Sequence, residues 1–237
     1  VLVAYCPGLK IRLVRPRANN PIGVGESTQP DLPMRVQAAG IDLADFCVAT
    51  DATIKCGIFY RDWNVVGDHY WHPFTSMADS GPYTAAHHFQ QLILENPQQY
   101  KHADYYARVH TSYETCVKRN LIAPEAATAL HVDAAKLALY LERHLTTVEV
   151  IQSDRIEPIA RDGKIASIAL DDGKSITADL YVDCTGFARA LLGKIAAQPA
   201  PLHYEANVNR AVAGNVPYAD RRTEMHPYTR AHAHEHG

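Results

Sequence analysis

The chain has 237 residues, 47% hydrophobic and 21% charged, with a formal net charge of −3. That length holds one large domain or two small ones. The slightly acidic balance, without a basic face or run, argues against nucleic acid as a partner, and no apolar stretch reaches membrane-spanning length.

The start, from Val1 to Gly8, has no methionine and no basic n-region of a signal peptide. It reads as the tail of a helix begun earlier, so a missing N-terminus is expected. Cys6-Pro7-Gly8 breaks that helix. Lys10 to Val14 is a short apolar strand, stopped by Arg15-Pro16. A helix end, a tight turn and a buried strand make the second half of a βαβ unit. In a dinucleotide fold the first strand and its Gly-rich turn would lie upstream. Next comes Ile22-Gly23-Val24-Gly25-Glu26-Ser27-Thr28, whose glycines let backbone approach a ligand closely. The hydroxyls and N–H groups of Glu26-Ser27-Thr28 suit a phosphate or a flavin carbonyl; the plain alternative is a glycine turn.

Leu32 to Ala39 and Leu43 to Thr50 read as short helices separated by Gly40. Ile54 to Trp63 alternates as one strand, and Asp68 to Phe74 reads as an aromatic loop or bend. His87 to Glu95 and Tyr100 to Arg119 look helical, with Pro97 between them, and Ala123 to Ala129 is a weaker helical candidate. Val132 to Leu145 is a good helix that Asp133 can cap. Strands resume at Thr147 to Gln152. Three more are expected at Lys164–Leu170, Ser175–Thr177 and Leu180–Asp183, the first two joined by the hairpin signal Asp171-Asp-Gly-Lys174. Leu180-Tyr-Val-Asp183 is apolar enough for a strand covered on both faces. The order predicts an α/β fold: a nucleotide-binding core with a β-meander, interrupted by a mostly helical insertion. Residues 1–30 and 148–200 would form the core, 31–147 the insertion on the substrate side, and 201–237 the start of a further substrate-side segment.

The five cysteines Cys6, Cys47, Cys56, Cys116 and Cys184 are odd in number and form no Cys-x-x-Cys, against a disulfide framework or a zinc site. A reducing, cytoplasmic setting is expected. His232, His234 and His236 would share a face on a strand and could hold a transition metal. A disordered end, or a strand whose partners are missing, is the preferred reading, and no metal is expected. Lys55 stands in the apolar run Ala52 to Ile58, where a charge is costly without a task. By position alone it is a strand lysine with its stem on the core and its head in water.

Taken together, Pro21 to Thr28, Ala52-Thr53-Ile54-Lys55, Gly67-Asp68-His69-Tyr70-Trp71-His72-Pro73-Phe74, Leu180 to Phe187 and His226-Pro227-Tyr228-Thr229 resemble the flavin-dependent tryptophan halogenase family, in the family's order. The resemblance implies that the core is FAD-binding and Rossmann-like, of the two-dinucleotide-binding flavoprotein type, and that reduced FAD from a separate flavin reductase turns a halide ion, with oxygen, into hypohalous acid. Lys55 would present that oxidant to a small, electron-rich aromatic substrate such as an indole. Two routes stay open for the amine: hydrogen-bonding hypohalous acid, or carrying the halogen itself. The resemblance further assigns the strap Ile22, Gly23, Val24, Gly25, Glu26, Ser27 and Thr28 to the flavin, with Asp183 and Gly186 at a later flavin motif. His72 and Phe74 would flank the aromatic ring, although a packed aromatic corner accounts for them too. Arg15 stands where a dinucleotide fold usually has an acid for the ribose hydroxyls, and could take a phosphate instead. A homodimer is compatible with the resemblance. The family's assisting carboxylate and its Trp-x-Trp-x-Ile-Pro signature would fall past Gly237. An FAD-dependent aromatic monooxygenase and a non-catalytic, truncated FAD-binding module are the alternatives.

Overall fold

The computed structural model describes residues 2–6, 8–18, 26–74, 79–80, 83–100, 111–124, 127–196, 210–214 and 216–235. Strand β1 (Ile11–Arg15) pairs in parallel with β8 (Val148–Gln152), from Ile11 opposite Val148 to Arg15 opposite Gln152. Neither could bury its apolar side alone. Val14 and Ile151 pack onto a cluster built on Ile168, Leu170 and Leu191, with Ile156, Ile165, Ile176 and Tyr181 around it. Those residues come from an antiparallel meander of β9 (Ile156–Arg161), β10 (Lys164–Leu170) and β11 (Ser175–Ile176). The β9–β10 turn is Asp162-Gly163, both at positive φ (51° and 73°), the two-residue geometry that follows strand twist.

The meander therefore lies one strand earlier than predicted. Pro158 hides β9 from a sequence reading, yet β9 is an edge strand, where a missing N–H does no harm. Leu180–Asp183 is no strand: Leu180 and Val182 are 79% and 67% exposed. The run pairs with no strand among the described residues, so only its inward side is held. Tyr181 Oη accepts from Ala178 N at 2.9 Å and donates to Ala166 O at 3.3 Å.

The two predicted helices form as Leu32–Ala38 and Leu43–Ala49, the second with Asp42 accepting from Asp45 N at 2.7 Å. Helix Ala134–Arg143 starts on Asp133, which accepts from Lys136 N at 2.9 Å. These helices enclose Val36, Phe46, Leu130, Val132 and Tyr140. The stretch 31–147, expected to be mostly helical, also carries strands. Ile54 to Trp63 is two strands, β2 (Thr53–Lys55) and β3 (Gly57–Arg61), split at Cys56, whose N–H donates to Pro227 O at 2.8 Å. The expected aromatic loop is β4 (His69–Pro73), antiparallel to β3, with Tyr60 and Tyr70 stacked at 4.6 Å.

Two short strands, β5 (Asp79–Ser80) and β6 (Tyr83–Thr84), precede helix Ala85–Glu95. Of the helix expected from Tyr100 to Arg119, Thr111–Tyr113 is helical and Glu114–Lys118 a π-turn, while 101–110 lie outside the described residues. The weak helix at Ala123–Ala129 is absent over its described part. Ala129 instead opens β7 (Ala129–His131), antiparallel to β2. Finally β12 (Thr229–His232) runs parallel to β3, with Thr229 opposite Ile58. A third cluster, Cys56, Trp71, Tyr113, Cys116, Ala123 and Tyr228, fills the space beside this sheet. Among the described residues no helix is long and apolar enough to cross a membrane.

Candidate functional site

Register brings the strap and the lysine together. In the β2–β7 pair Lys55 stands opposite Ala129 and Thr53 opposite His131. The segment 26–28 adds to the far side of β7: Ser27 bridges His131, Thr28 N donates to Leu130 O at 2.8 Å, and Val132 N donates to Glu26 O at 3.0 Å. Leu130 N also donates to Thr28 Oγ1 at 2.9 Å. Ser27, His131, Thr53 and Lys55 consequently share one face of a small antiparallel array. Ala129, fully buried, leaves the lysine stem room to cross β7.

The ammonium of Lys55 donates to Ser27 Oγ at 3.1 Å, although the two are 28 positions apart in sequence. Its Nζ also sits 5.1 Å from the centre of the Phe74 ring. The residue is 3% exposed, and no carboxylate pairs with it among the described residues. An ammonium held by one hydroxyl and one ring face is poorly compensated for its lost hydration, so burial lowers the Lys55 pKa. Beside it, His131 bonds Thr229 Oγ1 through Nε2 at 2.9 Å and faces Thr53 Oγ1 through Nδ1 at 3.5 Å. Burial first, and the Lys55 charge second, bring this imidazole down to about 4. Such a site can donate a hydrogen bond to a small neutral oxidant, or offer a free amine more readily than a surface lysine could.

The other predicted residues are dispersed. His72 is exposed on β4 and Phe74 half-buried just past its end; only Phe74 touches the lysine. Ile22, Gly23, Val24 and Gly25 lie outside the described residues. Arg15, at the end of β1, is held by Glu142 of helix Ala134–Arg143 at 2.6 Å, which neutralises the guanidinium a phosphate would need. Asp183 Oδ1 accepts from Thr185 N and Oγ1, at 3.1 and 2.6 Å. Its Oδ2 accepts from Leu191 N and Leu192 N, at 3.0 and 2.9 Å. These bonds, with burial opposing them, hold its carboxyl down at about 2 and bind it to the 185–192 turn. Gly186 has φ +61°, and a Cβ there would meet no atom within 4 Å, so its backbone is open to a ligand. His131, Thr229 and Ala129 were not foreseen. The available signal was a histidine between Leu130 and Val132, directly before the cap Asp133. Among the described residues no three His, Cys, Asp or Glu side chains form a metal-ligand group; His232 instead meets Asp62 at 2.8 Å, and His236 lies outside them.

A family model described as Tryptophan halogenase matches residues 1–237. The chain belongs to that family. Tryptophan 7-halogenase RebH of Lentzea aerocolonigenes is 27% identical, across 91% of this chain and 45% of RebH. Tryptophan 6-halogenase ThaL of Streptomyces albogriseolus is 26% identical, with the same two shares. The chain thus spans about half the length of the curated relatives it matches. Among solved structures, Xcc4156, a flavin-dependent halogenase from Xanthomonas campestris, superposes with a TM-score of 0.66 at 30% identity. That match covers 82% of this chain and 40% of Xcc4156. VirX1 in its apo form gives a TM-score of 0.75 at 26% identity, covering 98% of this chain and 48% of VirX1.

Proposed function

We propose that this protein is a flavin-dependent halogenase that uses reduced FAD, oxygen and a halide ion to halogenate an electron-rich, indole- or tryptophan-like ring. The observation that carries the proposal is the buried Lys55 ammonium, hydrogen-bonded to Ser27 of the strap at 3.1 Å and capped by Phe74. Family membership and the names of the relatives support the substrate class. FAD would be held at the open backbone of Gly186 and at Glu26, Ser27 and Thr28 of the strap, with Ile22, Gly23, Val24 and Gly25 assigned to it by the family resemblance. When bound and reduced, it supplies the reaction with oxygen that oxidises halide to hypohalous acid. Residues 1–30 and 148–200 would form its Rossmann-like core and 31–147 the substrate-side insertion, with a further substrate-side segment from 201 to 237.

Lys55 receives the neutral oxidant in a site that excludes water. Its N–H polarises the oxidant toward the ring, or its free amine attacks the halogen of hypohalous acid, breaking the oxygen–halogen bond and losing a proton, so that water leaves and the nitrogen carries the halogen to the ring. Phe74 and His72 flank the ring to be halogenated. Arg15 and Asp183 shape the flavin side indirectly, through Glu142 and the 185–192 turn. A flavin reductase delivers the reduced cofactor. The test is to supply the full-length protein with reduced FAD, bromide and indole, and to look for bromoindole by mass spectrometry. Hydroxylated indole would point to a monooxygenase, and failure to bind FAD to a non-catalytic module.

A further inference from the structure

We infer that His131 is the positioning residue for Lys55, an imidazole that ties the strap, β2 and β12 into one wall without placing a second charge beside the lysine. The inference rests on the reading of Lys55 given under the proposed function.

The argument begins with topology. Three separate pieces of chain must meet for the amine to reach its hydroxyl: segment 26–28, which carries Ser27; β2, which carries Lys55; and β12, whose arrival beside β3 fixes Thr229. His131 lies at the point where they meet. It bridges Ser27 through backbone and stands opposite Thr53, two residues before Lys55 on the same face. Its Nε2 reaches Thr229 at 2.9 Å and its Nδ1 faces Thr53 at 3.5 Å. A leucine at 131 would keep the strand pairing and lose both side-chain links. Asparagine, with one donor and one acceptor group, can keep at least one of them.

Charge gives the second part. The segments around His131 carry Glu26, Lys55, Asp133 and Arg230, and of these Lys55 is the one whose charge bears on the ring. The effect is mutual: an imidazolium at 131 would push the ammonium of Lys55 toward losing its proton. A neutral ring at 131 spares the amine that donates to Ser27 a second positive charge at its side. Histidine supplies two hydrogen-bonding nitrogens without adding a charge at neutral pH.

Two arms test this in the full-length, FAD-loaded protein. In the first, the His131 ring is titrated by NMR in the wild type and in Lys55→Met. Removing the ammonium should raise the ring's pKa by roughly a unit, the order a neighbouring charge imposes; an unchanged or lowered pKa overturns the inference. In the second, halogenation is measured for His131→Leu and His131→Asn. The leucine variant should lose about tenfold or more in kcat with little change in the KM of the aromatic substrate, and asparagine should recover most of that loss. Leucine at wild-type kcat overturns the inference, as does asparagine no better than leucine while both bind FAD. Should the wild type bind FAD and halogenate nothing, the proposed function fails, while the titration still reads the Lys55–His131 coupling.

Discussion

Replacing Gly57 with alanine tests whether the strand after Lys55 is held as described. An ideal Cβ at 57 would lie 2.5 Å from Cη2 and 2.6 Å from Cζ2 of Trp71, and 2.6 Å from the His72 carbonyl oxygen. Non-bonded heavy atoms prefer about 3.5–4 Å, so something must move by about 1 Å. The carbonyl belongs to β4, hydrogen-bonded in register with β3. Trp71 is fully buried, edge-on to Tyr228 at 5.7 Å, with its Nε1 donating to Ser112 Oγ at 3.1 Å. Overpacking of this kind costs about 1–3 kcal/mol. Rotation of the indole away would add about 1 kcal/mol for the Ser112 bond. The expected loss is about 2–4 kcal/mol, a fall in Tm of roughly 5–15 °C for a chain of this size. Thermal unfolding and urea titration measure it, with Gly193→Ala as control, where an added Cβ meets nothing within 4 Å. A Gly57→Ala protein within about 0.5 kcal/mol of wild type would refute the packing of β3 against Trp71.

His131, neutral in the fold with a pKa of about 4 against an ordinary 6.5, makes stability fall on acidification. Between those values the unfolded chain binds the extra proton, so the contribution is complete above about 6.5 and is lost as pH falls toward 4. Urea midpoints at about pH 7.5 and 5 should therefore differ by less in His131→Asn than in wild type; equal differences would contradict the burial. Tyr140→Phe should cost about 1 kcal/mol, because the buried hydroxyl donates to Asp45 Oδ2 at 2.7 Å. Burial, and after it that bond, push Tyr140 up to about 12, so stability should be lost as pH rises above the ordinary 10. Phenylalanine should blunt that alkaline loss in a urea titration.

What the sequence revealed follows how local each signal is. Asp133 announces its helix because capping needs only residues a turn away, and it caps as expected; Asp42 caps the helix at Leu43–Ala49 in the same way. The Asp171–Lys174 turn is equally local: Gly173 takes φ +83° and Leu170 N donates to Lys174 O. Non-local pairing was harder to see. The break at Cys56 depends on Pro227, far along the chain, and the strand at His69–Pro73, which a His–Pro sequence disguises as a loop, shows itself only in its pairing with β3. Lys55 was visible as a charge in an apolar run, but its hydroxyl partner lies 28 positions away and its wall at His131 further still. A three-residue strand such as β7 carries no periodicity to read. Arg15 was read by its place at a strand end, yet the chain supplies it with Glu142 from a helix distant in sequence.

The most direct test of Lys55 is the yield of halogenated indole per FAD oxidised in the full-length protein, compared between wild type and Lys55→Met. Flavin oxidation should continue in the variant while halogenated product falls by about a hundredfold or more. Product yield equal to wild type, from a protein that still binds and oxidises FAD, would show that the buried amine does not handle the oxidant.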